Sequence, residues 1–370
     1  MKGYYLFAPY EESCLGPGSG VEKKVRAQHL VLSSICDCEL SILPPVRFQN
    51  TTGERIIRRL PYTASWNRWD YRGEFDDADF LYMRMVHHDQ SLIRYLRAIR
   101  SSNPKIKILY EVPTYPMGKY RFSFNSVSFD LKEFFARKQL HRYVDRIITF
   151  YGQSSIWDVP CIALLNGYDF SQIQLPQRSQ PEAVHLLSVA AVSPIHGYER
   201  LLEGFHRYYA NGGTEAVFYH YVGPALPEHR RMAKEYGLED RVIFHGPQYG
   251  EDLRSLFAQC TLGVDVLGGY KANYTVSSSL KSREYAAYGL PILTAAPIDY
   301  QPEAYPYTLL IPNDPSPVEI PELLQFWHGI YDSRDVNQLA RQIREEAVSR
   351  CDMMVAMQPV LGWLRQNCQT

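Results

Sequence analysis

The feature that most restricts this chain is an alternation that runs its whole length and restarts once. Residues 3–8, 39–43, 79–83, 106–112, 146–150 and 161–165 are rich in β-branched and aromatic side chains and read as strands. Amphipathic, helix-length patterns lie between several of them, at 21–34, 88–100 and 131–143. Strands joined by crossover helices build a parallel sheet. Residues 175–183 (LPQRSQPEA) are polar, proline-bearing and without periodicity, which marks an interdomain linker. The alternation then begins again. Strands are expected at 185–192, 216–222, 241–244, 262–266, 291–294 and 308–311, and helices near 198–209, 228–236, 251–259 and 280–288. Residues 336–366 read as helical, broken near Cys351 and Pro359.

A chain of 370 residues with 45% hydrophobic side chains exceeds what one small core needs. The expected fold is therefore α/β, with two tandem Rossmann-like doubly wound domains facing a cleft. The first spans 1–174, the second 184–351, and a last helix at about 352–370 packs back on the first. Ligands of such sheets bind at the carboxyl ends of the strands.

Charge adds a second division. Residues 1–170 hold 23 Lys+Arg against 18 Asp+Glu, net +5, which leaves 16 against 22, net −6, for 171–370. The overall net of −1 excludes a uniformly basic nucleic-acid binder. No stretch approaches the roughly 20 apolar residues of a membrane span, and the start, MKGYYLFAPYEE, ends its short apolar run in two glutamates, unlike a secretory signal. A cytoplasmic location is expected. The seven cysteines are an odd, scattered set in which only Cys36 and Cys38 are close, which suits reduced, mostly buried thiols. The 28 tyrosines suit a carbohydrate cleft, although many are expected half-buried at strand ends.

The strongest local signal is Ser277-Ser278-Ser279-Leu280-Lys281-Ser282-Arg283-Glu284-Tyr285. Hydroxyls and backbone N–H groups at a helix start, with Lys281 and Arg283 in the first turns, form a site for a phosphate or diphosphate. Glu284, one turn further in, is placed to accept two ribose hydroxyls. The same residues also suit a capped, charged surface helix. Gly16-Pro-Gly18-Ser19-Gly20-Val21, between the first strand and first helix, is either a loop whose backbone approaches a diphosphate or an ordinary turn.

Val192-Ser-Pro-Ile-His196-Gly197-Tyr198, Tyr221-Val-Gly-Pro, Val242-Ile-Phe-His-Gly246, Leu253-x-x-Leu256-Phe257 and Glu284-Tyr-Ala-Ala-Tyr-Gly-Leu-Pro-Ile follow one another over about 184–296. Their order resembles family-4-type glycosyltransferases of the GT-B fold. Residues 106–116 and 147–169, including Glu111, Thr149, Asn166 and Asp169, resemble a subgroup that builds bacterial surface polysaccharides. The resemblance implies a hexosyltransferase-type enzyme that is retaining and metal-independent, with no cofactor beyond the nucleotide-sugar substrate, UDP favoured. It places the donor against Gly18, Gly20, His196, Gly197, Lys271, Ser278, Ser279, Leu280, Lys281, Arg283 and Glu284. Lys281 and Glu284, with Glu111 of the first domain, are the expected catalytic residues. The expected partners are the nucleotide-sugar and a glycan or lipid-diphosphate-linked acceptor, with no nucleic acid.

The departures from the family pattern are specific. The family's first glutamate, eight positions before Glu284, is Val276. His196 stands where the family has lysine, and its arginine position falls on Ala190 or Ala191. Glu111 stands where the family has a cleft histidine, and could act there as a base toward the acceptor. A non-catalytic GT-B subunit that binds nucleotide or glycan is therefore a competing reading; an epimerase or phosphorylase of the same fold is a third. Asp77-x-Asp79 matches a metal-binding DxD but precedes a strand and reads as a turn. His87 and His88 read as loop residues, with His87 a cleft candidate. Arg55, Arg58, Arg59, Arg68 and Arg72 with Trp66 and Trp69 form a basic, aromatic stretch. It suits either peripheral contact with an anionic membrane carrying the acceptor or a solvated face.

Overall fold

The computed structural model describes residues 1–9, 20–43, 52–53, 56, 60, 69–84, 88–113, 115, 127–190 and 193–368. The chain divides into two compact units: Met1–Gly167 with Ala356–Thr370, and Tyr168–Val355. Each is a sheet of mainly parallel strands.

In the first unit the order along the chain is β1 (Lys2–Phe7), α1 (Gly20–Ser33), β2 (Asp37–Ile42), β3 (Phe80–Arg84), α2 (Gln90–Ser102), β4 (Lys107–Val112), α3 (Val127–Arg137), β5 (Arg146–Thr149), β6 (Ser155–Ile156) and β7 (Val159–Ala163). The sheet order is β2-β1-β3-β4-β5-β7-β6, parallel throughout except for the β6/β7 pair. That antiparallel pair turns at Trp157 and Asp158, whose φ values of +50° and +62° supply the left-handed backbone of a tight hairpin. α2 starts where the Asp89 side chain accepts from the backbone N–H of Ser91 (2.9 Å) and Leu92 (3.1 Å). Its Leu92, Ile93, Leu96 and Ile99 recur at helical spacing and join the core.

The second unit runs β8 (Val184–Val189), α4 (Glu199–Ala210), β9 (Val217–Val222), α5 (Pro227–Glu235), β10 (Val242–Gly246), α6 (Gly250–Gln259), β11 (Leu262–Val264), α7 (Leu280–Ala287), β12 (Ile292–Thr294), β13 (Thr308–Leu310), α8 (Ile320–Tyr331) and α9 (Val336–Cys351). Its six strands are all parallel, in the order β10-β9-β8-β11-β12-β13. After the short turn Met353–Ala356, α10 (Gln358–Asn367) belongs to the first unit, where it buries Val360, Leu361 and Leu364.

Residues 175–183 form no helix or strand, and they are fastened to the second unit. The Arg178 guanidinium donates to Phe257 O (2.9 Å) and Tyr288 O (2.8 Å), while Asn337 accepts from its backbone N–H. Both carbonyls, at the ends of α6 and α7, accept from the same nitrogen, Nη2, while Nε and Nη1 are buried without a hydrogen-bond partner among the described residues. The six described cysteines are all unpaired thiols. Among the described residues no helix is long and apolar enough to cross a membrane.

Three imidazoles cross the edge of the second sheet. His185 on β8 meets His220 on β9 at 3.0 Å, and His220 meets His245 after β10's Phe244 at 3.0 Å, with rings tilted or stacked on one another. Burial and the two flanking imidazoles lower His220 to about 4, and burial lowers His185 and His245 as well. The unfolded chain therefore takes up protons near pH 6.5 that the folded ladder refuses, so this stability is lost as pH falls. Between pH 6.5 and about 4 His220 should account for a fall on the order of 2 kcal/mol. His220→Gln should flatten the dependence of melting temperature on pH across that window; a slope equal to the parent's would contradict the assignment.

Candidate functional site

The second sheet reverses its direction of growth at β8: β9 and β10 add on one side, β11, β12 and β13 on the other. The loops after β8 and β11 consequently diverge around a switch point, where sheets of this kind bind ligands. Both loops carry expected site residues.

The residue that follows β11 is Asp265, which has no surface exposed to solvent. Its carboxylate accepts from Ser277 Oγ and Ser279 Oγ, each at 2.6 Å. Lys281 Nζ lies 3.8 Å from the same carboxylate and donates to Asp265 O (3.1 Å) and to the Tyr198 hydroxyl (3.3 Å). Burial pushes the Lys281 pKa down, and the Asp265 carboxylate opposes that shift. Ser279 is the N-cap of α7: its φ of −73° and ψ of 144° are extended, and its hydroxyl accepts from Ser282 N at 3.1 Å. Leu280 and Lys281 thus begin a helix whose N-terminal dipole and ammonium point the same charge at the switch point.

The loop after β8 is held against the loop after β11 by close backbone approach. Gly197 has φ +63°, and a Cβ there would stand 2.4 Å from Gly268 N. Leu267 N donates to His196 O (2.9 Å) and Gly268 N to Ile195 O (3.0 Å). His196 stacks on Tyr198 at 5.2 Å between centroids. Burial, Lys281 and His229 hold its imidazole at about 3, so it is neutral near pH 7. The structure therefore brings together His196, Gly197, Ser279, Leu280 and Lys281. Glu284 is half-buried one turn on, and the Tyr168 hydroxyl donates to it at 3.5 Å.

Two expected phosphate cations are engaged elsewhere. Arg283 is fully buried and ion-paired with Asp299; it also donates to Ser279 O (3.2 Å) and Ser282 Oγ (3.1 Å) and lies 4.9 Å over the Tyr300 ring. It is an internal strut rather than a surface cation, because a buried guanidinium needs its donors met by protein. Ser278 is tied to the same Asp299 through its hydroxyl at 2.8 Å. Lys271 is ion-paired with Glu199. Against the upward push of burial, His229 and Lys271 hold that carboxylate at about 2.

In the first unit Gly18 lies outside the described residues, and Gly20 is the exposed first residue of α1. Glu111, on β4, is not open to a ligand. It has no exposed surface and accepts from Tyr82 OH (2.6 Å) and Gln28 Nε2 (2.6 Å), with Lys24 Nζ at 3.8 Å and an ion pair to Arg84. Burial pushes its pKa up, but Lys24, Arg84 and the two hydrogen bonds hold it below the ordinary carboxylate value. A charge in that position is a saturated core anion, which corrects the expectation of a base facing the acceptor.

Asp77 and Asp79 are turn residues that bind Lys2, through its ammonium and its backbone N–H respectively. His88 is buried between Glu133 (3.0 Å) and Tyr110 (3.2 Å). Trp69 packs on Tyr95, and Arg72 pairs with Asp70. His87, Arg55, Arg58, Arg59, Trp66 and Arg68 lie outside the described residues. Among the described residues no group of three or more His, Cys, Asp or Glu side chains is arranged to hold a metal ion. Asp265 and Tyr198 escaped the sequence reading of the site, although one acidic residue inside the apolar run Leu262-Gly-Val-Asp-Val-Leu267 was a signal for the first.

No family model and no curated protein matches the sequence. Solved structures do resemble the fold. The chain is similar to Anabaena HepE in complex with UDP, at 14% identity and TM-score 0.62, over 99% of this chain and 100% of that one. It is similar to a glycosyltransferase from Rickettsia africae, at 8% identity and TM-score 0.63, over 100% and 99%. It is also similar to sucrose-phosphate synthase from Thermosynechococcus elongatus, at 14% identity and TM-score 0.62, over 99% and 100%. These are GT-B glycosyltransferases, and the likeness establishes the GT-B fold for this chain.

The surroundings of Glu111 generate a test of its place in the core. Glu111→Gln leaves Lys24 and Arg84 without their buried counter-charge and should cost about 3–5 kcal/mol of stability. Urea unfolding measures it, and an unchanged midpoint would return Glu111 to the candidates for direct ligand contact.

Proposed function

We propose that this protein is a hexosyltransferase-type glycosyltransferase that moves a sugar from a nucleoside diphosphate donor to a hydroxyl of a carbohydrate or lipid-linked glycan in polysaccharide biosynthesis. The observation that carries the reading is the start of α7 at the switch point of the second sheet. There Ser279 caps the helix and Lys281 is held beside Asp265 and Tyr198. When the bond between the anomeric carbon and the diphosphate breaks, the leaving group takes the electron pair and gains negative charge. A helix N-terminus and an ammonium fixed in advance stabilise that charge without reorganising, commonly the largest catalytic contribution. His196, neutral and beside them, can donate a hydrogen bond to the diphosphate but adds no charge.

Glu284 is assigned the ribose hydroxyls, held in place by the Tyr168 hydroxyl. UDP is the favoured nucleotide, supported by the complexes of HepE with UDP and with UDP-glucose. Retention of configuration is what the resemblance to family 4 implies, and with a helix dipole and Lys281 assigned to the leaving diphosphate the proposed reaction calls for no metal.

Two observations favour the second reading, a nucleotide- or glycan-binding subunit without turnover. Val276, where the family has a glutamate, is 44% exposed, and Glu111 is closed off in the core. Supplying UDP-, GDP- and dTDP-sugars with polysaccharide acceptors separates the two: nucleotide binding without hydrolysis or transfer of any donor identifies the subunit. Glu284→Ala should weaken UDP binding by more than about tenfold, about 1.4 kcal/mol. Unchanged calorimetric affinity for UDP and GDP would remove Glu284 from the site.

A further inference from the structure

We propose that α3 is a docking face for an anionic lipid bilayer. This helix has its polarity reversed for one packed on a core. Lys132 and Glu133 are buried, whereas Leu131, Phe134 and Phe135 are 53%, 49% and 56% exposed. The inward polar side is satisfied by protein: Glu133 meets His88 at 3.0 Å and Arg137 at 2.6 Å. The outward side is left apolar. Leu131, Phe134 and Phe135 stand three and four positions apart, so they form one stripe along the helix.

Cations edge that stripe. Lys138 Nζ lies 4.2 Å over the Phe134 ring, and Arg142 is exposed on the following turn. α2 packs beside α3 and exposes Arg97, which donates to the hydroxyl of Tyr143, next to Arg142. The exposed acid on α3 is Asp130. Aromatic and leucine side chains bordered by Lys and Arg fit a negatively charged membrane surface, where the rings sink past the headgroups and the cations meet lipid phosphates. The net +5 of residues 1–170 favours this occupant over a second, equally basic copy. In the stretch 55–72, by contrast, Trp69 and Arg72 are occupied by Tyr95 and Asp70. The inference rests on this surface alone and stands or falls separately from the transfer reaction.

Sedimentation of the full chain with sucrose-loaded vesicles tests it. The protein should bind vesicles of equal parts phosphatidylglycerol and phosphatidylcholine and should bind pure phosphatidylcholine about tenfold more weakly. Phe134→Ser/Phe135→Ser should lower binding to the anionic vesicles about tenfold or more, while the protein stays folded because about half of each ring is exposed. Lys138→Glu/Arg142→Glu should abolish the preference for anionic lipid and leaves the stripe intact, so it decides the matter even if the serine variant folds poorly. Failure of the parent protein to sediment with anionic vesicles overturns the proposal, as does undiminished binding by either folded variant. So does a parent dimer that the serine variant splits while neither binds lipid, since the stripe would then join two copies.

Discussion

Asp265 is a carboxylate with no surface open to solvent, and much of the second unit's candidate site follows from how it is answered by protein. Two serine hydroxyls and one ammonium converge on it from residues 277–281, which fixes where the chain leaves its loop and enters α7. The dependence runs both ways. Burial of Lys281 favours loss of its proton, and the neighbouring carboxylate keeps the charged form competitive. A single buried carboxylate therefore sets a cap, a helix start and the position of a cation. An apolar residue at 265 would leave the Lys281 ammonium and two hydroxyls to find other partners in a dry site.

The first unit is built on the same problem, with a different outcome. Its sheet also reverses growth at the first strand, with β2 on one side of β1 and β3 on the other, and Glu111 lies one strand further on. Here the counter-charges, Lys24 and Arg84, are turned inward on the carboxylate, so the cluster closes on itself. Tyrosine makes both arrangements feasible. Tyr82 serves Glu111, Tyr198 serves Lys281, Tyr110 meets His88 and Tyr219 meets Ser188, in each case from a ring that is fully buried. Of the 25 described tyrosines 13 are buried, so about half of an abundance that suggests a sugar-binding surface is interior wiring, with apolar rings filling the core and hydroxyls supplying its donors.

The parallel sheets and their crossover helices were legible because both depend on local periodicity. α8 was not read, although its pattern is amphipathic: Ile320, Leu323, Leu324, Trp327, Ile330 and Tyr331 recur three and four positions apart and bury one face, behind a run of prolines at 312, 315, 317 and 321 that reads as loop. The β6/β7 hairpin also escaped, since its turn is Trp157-Asp158 without glycine. At the site, the Ser-rich helix start was readable because capping is a local property. The fates of Arg283 and Glu111 were not. Whether a charge lies on a surface or in a core depends on partners distant in sequence, here Asp299 for one and Lys24, Gln28, Tyr82 and Arg84 for the other.

The polypeptide passes from the first unit to the second at Gly167 and returns at Ala356. Within the second unit those two ends are stitched side by side: Tyr168 N donates to Cys351 O and Met353 N to Tyr168 O, each at 2.9 Å. The second unit is thus a parenthesis in the first, a continuous segment with adjoining ends, of the kind that insertion of one domain into a loop of another produces. The first unit has no such autonomy along the gene. Its sheet and the α10 helix that covers part of it are encoded on either side of the parenthesis, so its hydrophobic core is complete only after the last codons of α10 have been read.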